Sequence, residues 1–69
     1  MIDNVDRIEI VGLNGYDKTI KPSSPRVVES KYYIEYYDDR FQYRLIIKNE
    51  VKEVKLYKGK TLLKSIKTK

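Results

Sequence analysis

The alternation of apolar and polar residues predicts that this chain is built from β-strands. It is clearest from Glu29 to Lys48, reading ESKYYIEYYDDRFQYRLIIK, where most of the aromatic and branched side chains lie. A period of two residues places successive side chains on opposite faces of a strand. The stretch therefore predicts a β-hairpin with one face toward a core and one toward solvent.

A two-residue turn at Asp38-Asp39 sets the predicted register of this hairpin, because it places Tyr37 opposite Arg40. Favourable cross-strand pairs then follow, such as Glu29 with Lys48. The predicted core face is Tyr32, Ile34, Tyr36, Phe41, Tyr43, Leu45 and Ile47. The predicted solvent face is Glu29, Lys31, Tyr33, Glu35, Tyr37, Arg40, Gln42, Arg44, Ile46 and Lys48.

The first third of the chain predicts a second hairpin. Residues 1–13 contain an alternating stretch, and Asn14-Gly15 is a strong signal for a tight turn because both residues accept positive φ. Tyr16 to Ile20 is the predicted return strand. Pro22-Ser23-Ser24-Pro25 then forms a connection, since two prolines cannot sit inside a strand ladder. These signals divide the chain into an N-terminal hairpin (1–21), a connection (22–25) and a main antiparallel sheet (26–66).

Residues 50–58 allow two interpretations. A turn at Asn49-Glu50 makes Val51 to Tyr57 a strand that pairs with the preceding one, which places Leu45 opposite Val54 and Arg44 opposite Lys55. Alternatively Asn49 caps a short helix that ends before Gly59. The β-branched content favours the strand.

The end of the chain predicts a turn at Lys58-Gly59 and a final strand from Thr61 to Ile66. Leu62 and Leu63 have opposite parity, and the length of the turn decides which one is buried, so both alternatives stay open. Residues 67–69 are expected to form a loose, charged end.

Five or six short strands in 69 residues predict a single all-β domain over residues 1–69. The pattern is that of a small antiparallel meander. Such a sheet usually curls, because a flat one exposes both edges, so an SH3-like or OB-like barrel is expected.

The composition argues against an enzyme. The chain has no cysteine and no histidine, which removes thiol nucleophiles, thiolate metal ligands, the usual general base near neutral pH and the commonest nitrogen ligand of metals. Asp38 and Asp39 lie at a predicted turn without a third ligand, so neither a metal nor another cofactor is expected. No signal-like or membrane-spanning apolar segment is present, and a cytoplasmic or virion-internal protein without membrane contact is expected.

The net charge of +5 is divided unevenly along the chain. Residues 1–39 hold five basic and eight acidic side chains, whereas residues 40–69 hold ten basic and two acidic ones. A cationic half of this kind attracts polyanions.

The solvent face of the central hairpin, continued onto the next strand, is the candidate binding site. Aromatic rings offer stacking surfaces to bases while neighbouring cations hold phosphates, so the pattern predicts a DNA- or RNA-binding sheet. Tyrosine on a solvent-side strand and lysine at a sheet edge are equally typical of a purely structural role. The predicted nucleic-acid-binding residues are Tyr33, Tyr37, Arg40, Arg44, Lys48, Lys55 and Tyr57.

A protein-binding module is the alternative. Tyrosine and arginine are also the residues that protein interfaces favour, and a chain this short without catalytic groups acts most simply by occupying a surface. A small phage or mobile-element factor that binds or inhibits a host or assembly protein fits this description. A homodimer formed through a sheet edge belongs to the same class.

Overall fold

The computed structural model describes residues 1–68, and strands make up most of them. The predicted all-β class is confirmed. A single turn of 3₁₀ helix, Lys48–Glu50, follows the fifth strand. The strands are β1 Arg7–Gly12, β2 Lys18–Ile20, β3 Val28–Glu29, β4 Tyr33–Tyr37, β5 Tyr43–Ile47, β6 Val51–Lys58 and β7 Thr61–Lys67.

The strands form two antiparallel sheets, one with the order β2-β1-β6-β7 and one with the order β3-β4-β5. The region predicted as one main sheet, residues 26–66, is therefore shared between both. Across residues 1–68 the two sheets do not close into a barrel. None of the helical structure in these residues is long and apolar enough to cross a membrane.

The predicted pairing of β5 with β6 is wrong, and so is the alternative helix over residues 50–58. The 3₁₀ turn after β5 redirects the chain, and β6 pairs with β1 on one side and β7 on the other. Val54 lies opposite Ile10, and Leu56 lies opposite Ile8. This arrangement buries apolar side chains against each other and avoids the predicted contact between Arg44 and Lys55.

The N-terminal hairpin forms with a longer loop than the turn signal predicts. Strand β2 is only three residues long, and Ile8 lies opposite Ile20 with both side chains buried. Gly15 has a φ of +77°, in keeping with its turn position. Gly12 is required for a different reason: a Cβ there would lie 2.3 Å from the Tyr16 carbonyl oxygen.

One apolar core lies between the sheets, because each contributes its inner face to it. The connection over residues 22–25 lies next to this core, where the Pro25 carbonyl accepts a hydrogen bond from Val5 and Val27 pairs with Ile2. The buried residues are Val5, Ile8, Ile20, Val27, Ile34, Tyr36, Ile46, Val54, Leu56 and Ile66.

The register of the central hairpin differs from the prediction by three residues. Tyr37 lies opposite Tyr43 rather than Arg40, so the turn is a loop over residues 38–42. A register shift by an odd number of residues moves each β5 side chain to the opposite face of the sheet from the one predicted. Ile34 and Tyr36 are buried as predicted, but Ile46 is the buried residue of β5. The predicted core residues that are instead exposed are Tyr32, Phe41, Tyr43, Leu45 and Ile47.

The carboxylate of Asp38 explains the longer loop. Its Oδ1 accepts the backbone N–H groups of Arg40 at 2.9 Å and Gln42 at 3.0 Å. The N–H of Phe41 donates to the Asp38 carbonyl, and Phe41 adopts a φ of +61°. These bonds satisfy the backbone of an open loop, which a two-residue turn would not need.

The last hairpin has the predicted turn, with Lys58 opposite Thr61 and Gly59 at a φ of +58°. Neither Leu62 nor Leu63 is buried; an irregularity in the ladder between Leu56 and Tyr57 leaves both exposed and turns Ile66 inward.

The end predicted to be loose is tied down in part. Lys67 belongs to β7, and the N–H of Thr68 donates to the Lys52 carbonyl. Lys69 lies outside the described residues.

Candidate binding surfaces

The structure separates the predicted nucleic-acid-binding residues into different places. Tyr33 and Tyr37 lie on the outer face of the three-stranded sheet, whereas Lys55 and Tyr57 lie on the outer face of the four-stranded sheet. Since the sheets pack through their inner faces, these two outer faces point away from each other. The single continuous surface that the sequence predicts is therefore not formed. The other three residues, Arg40, Arg44 and Lys48, lie in the 38–42 loop, on β5 and in the 3₁₀ turn.

Arg44 is engaged within the hairpin. It lies opposite Tyr36, on the inner side of β5, and not beside the exposed tyrosines. Its Nε lies 3.1 Å from Asp38 Oδ2, and Nη2 donates to the side-chain oxygen of Gln42 at 2.9 Å. The Asp38 pKa is lowered, mainly by hydrogen bonds from the backbone of Gln42 and then of Arg40, with Arg44 adding to the effect. The positive charge of Arg44 is thus balanced locally.

Lys48 is engaged as well, in an ion pair with the Glu29 carboxylate at 2.8 Å. The lysine side chain is only 18% exposed. The other Glu29 oxygen lies 2.5 Å from Nζ of Lys64 on β7. Hydrogen bonds from Lys48 first and Lys64 second hold the pKa of Glu29 below its ordinary value. The predicted contact between Glu29 and Lys48 exists, although β3 pairs with β4 and Lys48 lies in the 3₁₀ turn after β5.

On the four-stranded sheet, the ring of Tyr57 is covered by a neighbour. The guanidinium carbon of Arg7 lies 4.3 Å from the ring centroid, and Arg7 Nε also pairs with Glu9 at 3.1 Å. Lys55 lies between Glu9 and Ser65 in the ladder. Acidic and basic groups alternate here, so this face has a mixed charge.

The outer face of the three-stranded sheet has a different character, and we call it the tyrosine face. The residues of this face can be identified from the strand register, because residues directly opposite each other on neighbouring strands point to the same face. Among the paired residues of this face the single charged one is Glu35, and the others are aromatic or aliphatic. The tyrosine face consists of Val28, Tyr33, Glu35, Tyr37, Tyr43, Leu45 and Ile47.

Contacts within the tyrosine face fix its geometry. The rings of Tyr37 and Tyr43 meet edge to face, with centroids 5.8 Å apart. The Tyr43 hydroxyl donates a hydrogen bond to the Glu35 carboxylate. That bond raises the pKa of Tyr43 to about 12. The charge of Glu35 is therefore held in place by Tyr43.

Several side chains of the tyrosine face are exposed to solvent. Tyr43 is 53% exposed, Leu45 is 46% exposed, and Tyr37 and Ile47 are also exposed. Contiguous exposed apolar side chains on a small protein mark interaction surfaces. Sequence reasoning missed Tyr43, Leu45 and Ile47 because it assigned them to the core. The one indication in the sequence is the run Leu45-Ile46-Ile47. Because all three residues are apolar, either face of β5 could be the one that packs on the core.

The acidic groups beside these surfaces are engaged within the protein. Within residues 1–68 no group of three or more acidic, histidine or cysteine side chains is placed to hold a metal ion. The Asp38 carboxylate is occupied by its loop, and the Glu29 carboxylate by two lysines. Comparison with models of known families, with curated protein sequences and with solved structures gave no match.

Proposed function

We propose that this protein is a non-enzymatic module that binds a partner protein through the tyrosine face. The observation that carries the proposal is the contiguous exposure of Tyr37, Tyr43, Leu45 and Ile47 on one side of a sheet. Interfaces are enriched in aromatic side chains and depleted of charge at their centres, and the tyrosine face has both properties.

The partner is expected to present an apolar surface, because Glu35 is the only charged member of the tyrosine face and already bonds to Tyr43. Tyrosine contributes a large contact area with few rotatable bonds, so little side-chain entropy is lost on docking. We propose a larger host or assembly protein as the partner class, since the chain carries no cysteine or histidine for chemistry of its own.

The test places a photo-reactive phenylalanine analogue at position 37 and, as a control, at position 16. Tyr16 is 83% exposed but lies in the loop between β1 and β2, away from the tyrosine face. In a lysate of the source cell, a discrete protein should crosslink to position 37 and not to position 16.

The captured protein then provides a quantitative assay. Tyr37→Lys should weaken its binding by about tenfold or more, a loss near 1.4 kcal/mol, while Tyr16→Lys leaves it unchanged. Equal crosslinking at both positions, or equal affinity of both variants, would rule out the tyrosine face as the docking surface.

Nucleic-acid binding is the second candidate, and the specific observation that favours it is the charge of the β6–β7 hairpin. Lys64 of this hairpin pairs with Glu29, but among residues 1–68 its other lysines have no carboxylate oxygen within 4.0 Å. They are Lys52, Lys55, Lys58, Lys60 and Lys67.

A titration of labelled single- and double-stranded oligonucleotides at two salt concentrations tests this candidate. Binding through phosphates should fall steeply with salt and should weaken in Lys58→Ala for every sequence. Tyr37→Lys should leave such binding intact, because position 37 is on the opposite side of the molecule. Absence of binding at low salt would exclude this candidate and leave the protein-binding proposal standing.

We also propose that the two sheets curl in an SH3-like or OB-like arrangement. An SH3-like or OB-like curl is supported by the single core that both sheets share. The cytoplasmic location stays a prediction from the sequence.

A further inference from the structure

Strand β5 is one of the two edge strands of the three-stranded sheet and is poorly protected against pairing. Within residues 1–68, β4 is the only strand that pairs with it. Its sequence, Tyr43 to Ile47, contains no proline, no glycine and a single charge. Edge strands are normally blunted by lysine, proline or bulges, and the edge strand β7 has two lysines and an irregular ladder.

We propose that β5 of one copy pairs antiparallel with β5 of a second copy, with the two-fold axis passing at Leu45. The two three-stranded sheets would then form one continuous sheet. The homodimer is isologous, because the same strand is used by both copies.

The first argument is the direction of the backbone groups. The N–H of Asp38 donates to the Gln42 carbonyl, and the N–H of Lys48 donates to the Tyr32 carbonyl. Hydrogen-bonded pairs alternate along an antiparallel ladder, so Arg44 and Ile46 also direct their backbone groups toward β4.

The groups of the intervening residues, Tyr43, Leu45 and Ile47, consequently point away from β4. Among residues 1–68, no second strand and no loop hydrogen bond meets these N–H and C=O groups, so they can pair with an incoming strand.

The second argument is the register. With Leu45 opposite Leu45 of the second copy, Tyr43 lies opposite Ile47 of that copy. Every outward N–H then meets an outward carbonyl. Sliding one strand by two residues leaves part of these groups without a partner, so the hydrogen bonds select one register.

The third argument is the match of side chains and charges. On the tyrosine face, the new rows are Tyr43 with Ile47 and Leu45 with Leu45, all of them apolar. On the inner side, Arg44 faces Ile46 and is already paired with Asp38. No two like charges face each other along the strand. Pairing of β7 about its own centre would instead place Lys64 opposite Lys64.

Lateral pairing of this kind leaves the tyrosine face open. The inference is therefore independent of the proposed function, and either one can fail without the other.

Disulfide trapping tests both the contact and its register. The chain has no cysteine, so a single introduced thiol reports alone. In the proposed dimer the two Cα atoms at position 45 lie about 5.5 Å apart, within disulfide range. Under mild oxidation, Leu45→Cys should crosslink at least about tenfold faster than Tyr16→Cys, which measures random collision.

Ile47→Cys is the register control. Its two copies are offset by four residues along the strands, about 14 Å, so it should crosslink no faster than Tyr16→Cys. Rapid crosslinking at position 47 but not 45 would overturn the proposed register.

Sedimentation of the unmodified chain over a range of concentrations provides the second measurement. The wild type and Tyr16→Lys should both show a concentration-dependent dimer, while Leu45→Lys, which puts two lysines across the axis, should remain a monomer. Circular dichroism should show that Leu45→Lys is folded, because Leu45 is an exposed position. A wild type that stays monomeric at all concentrations, or a dimer that Leu45→Lys does not weaken, would overturn the proposal.

Discussion

Glu29 of β3 forms an ion pair with Lys64 of β7, with 2.5 Å between Oε1 and Nζ. The two residues belong to different sheets, and the same carboxylate also binds Lys48 at 2.8 Å. One partly buried carboxylate thereby connects the sheets at their margin, outside the apolar core.

Replacing Glu29 with glutamine should lower the free energy of unfolding by roughly 1 kcal/mol at neutral pH, because two charge-assisted hydrogen bonds are lost. The folded-state pKa of Glu29 lies below its ordinary value of 4.5. Its contribution is therefore complete above that value and disappears as the pH falls through the lowered pKa. Urea denaturation at pH 7 and at pH 3 measures both effects.

Glu50→Gln is the matched control, since Glu50 is an exposed carboxylate outside these ion pairs. The difference between wild type and Glu29→Gln should shrink at acid pH, whereas Glu50→Gln should follow the wild type throughout. A pH-independent difference would contradict the role given to the Glu29 charge.

Tyr43 should titrate late among the tyrosines, because its hydroxyl bonds to the Glu35 carboxylate and its pKa is raised to about 12. The folded state keeps this proton longer than the unfolded state does. Stability should consequently decline as the pH rises from about 10 to about 12. NMR of the tyrosine ring carbons follows the titration residue by residue.

Glu35→Gln should move the Tyr43 pKa back toward 10 by removing the carboxylate. Tyr36 supplies an internal control, because burial is the main cause that raises its pKa. An unchanged Tyr43 pKa in Glu35→Gln would show that the hydrogen bond is not formed in solution.

Phe41→Gly should stabilise the protein by about 1 kcal/mol. Phe41 has a φ of +61°, a conformation that costs a residue with a Cβ about 1 to 2 kcal/mol and glycine very little. The side chain is 76% exposed, so little packing is lost. Thermal unfolding measures the gain. Gln42→Gly, at a position without positive φ, should be destabilising by comparison.

Asp38→Ala should loosen the loop over residues 38–42 and the register of β4 with β5. The carboxylate that accepts the N–H groups of Arg40 and Gln42 is removed, and amide hydrogen exchange at both positions should accelerate. The exposed Asp39 accepts neither bond, so Asp39→Ala should exchange like the wild type. Equal protection in all three proteins would contradict the role of Asp38.

The strands were predictable from sequence, because alternation and turn residues are local properties. The register of β4 with β5 was not predictable in this way. It depends on the hydrogen bonds that the Asp38 side chain accepts from the backbone of Arg40 and Gln42 in the following loop. The sequence from Leu45 to Ile47 does not distinguish the two registers, because each of them turns an apolar side chain of β5 toward the core. The pairing of β6 with β1 was equally hidden, since it joins residues far apart in the chain.

The same limits explain the outcome for the site. The alternation along β4 correctly predicts that Tyr33 and Tyr37 lie on an outer face. Their neighbours Tyr43 and Leu45 were assigned to the core by the wrong register. Lys55 and Tyr57 were added to the surface through a pairing of β5 with β6 that does not form.

The position of β1 between β2 and β6 has a consequence for the order of events during synthesis. While the ribosome is still adding residues 21–50, the first hairpin can form, but one side of β1 has no strand to bond. The residues of the three-stranded sheet must be synthesised before β6 is available to pair with the open side of β1. Folding should accordingly be slow for so short a chain, with its rate set by this late, long-range closure.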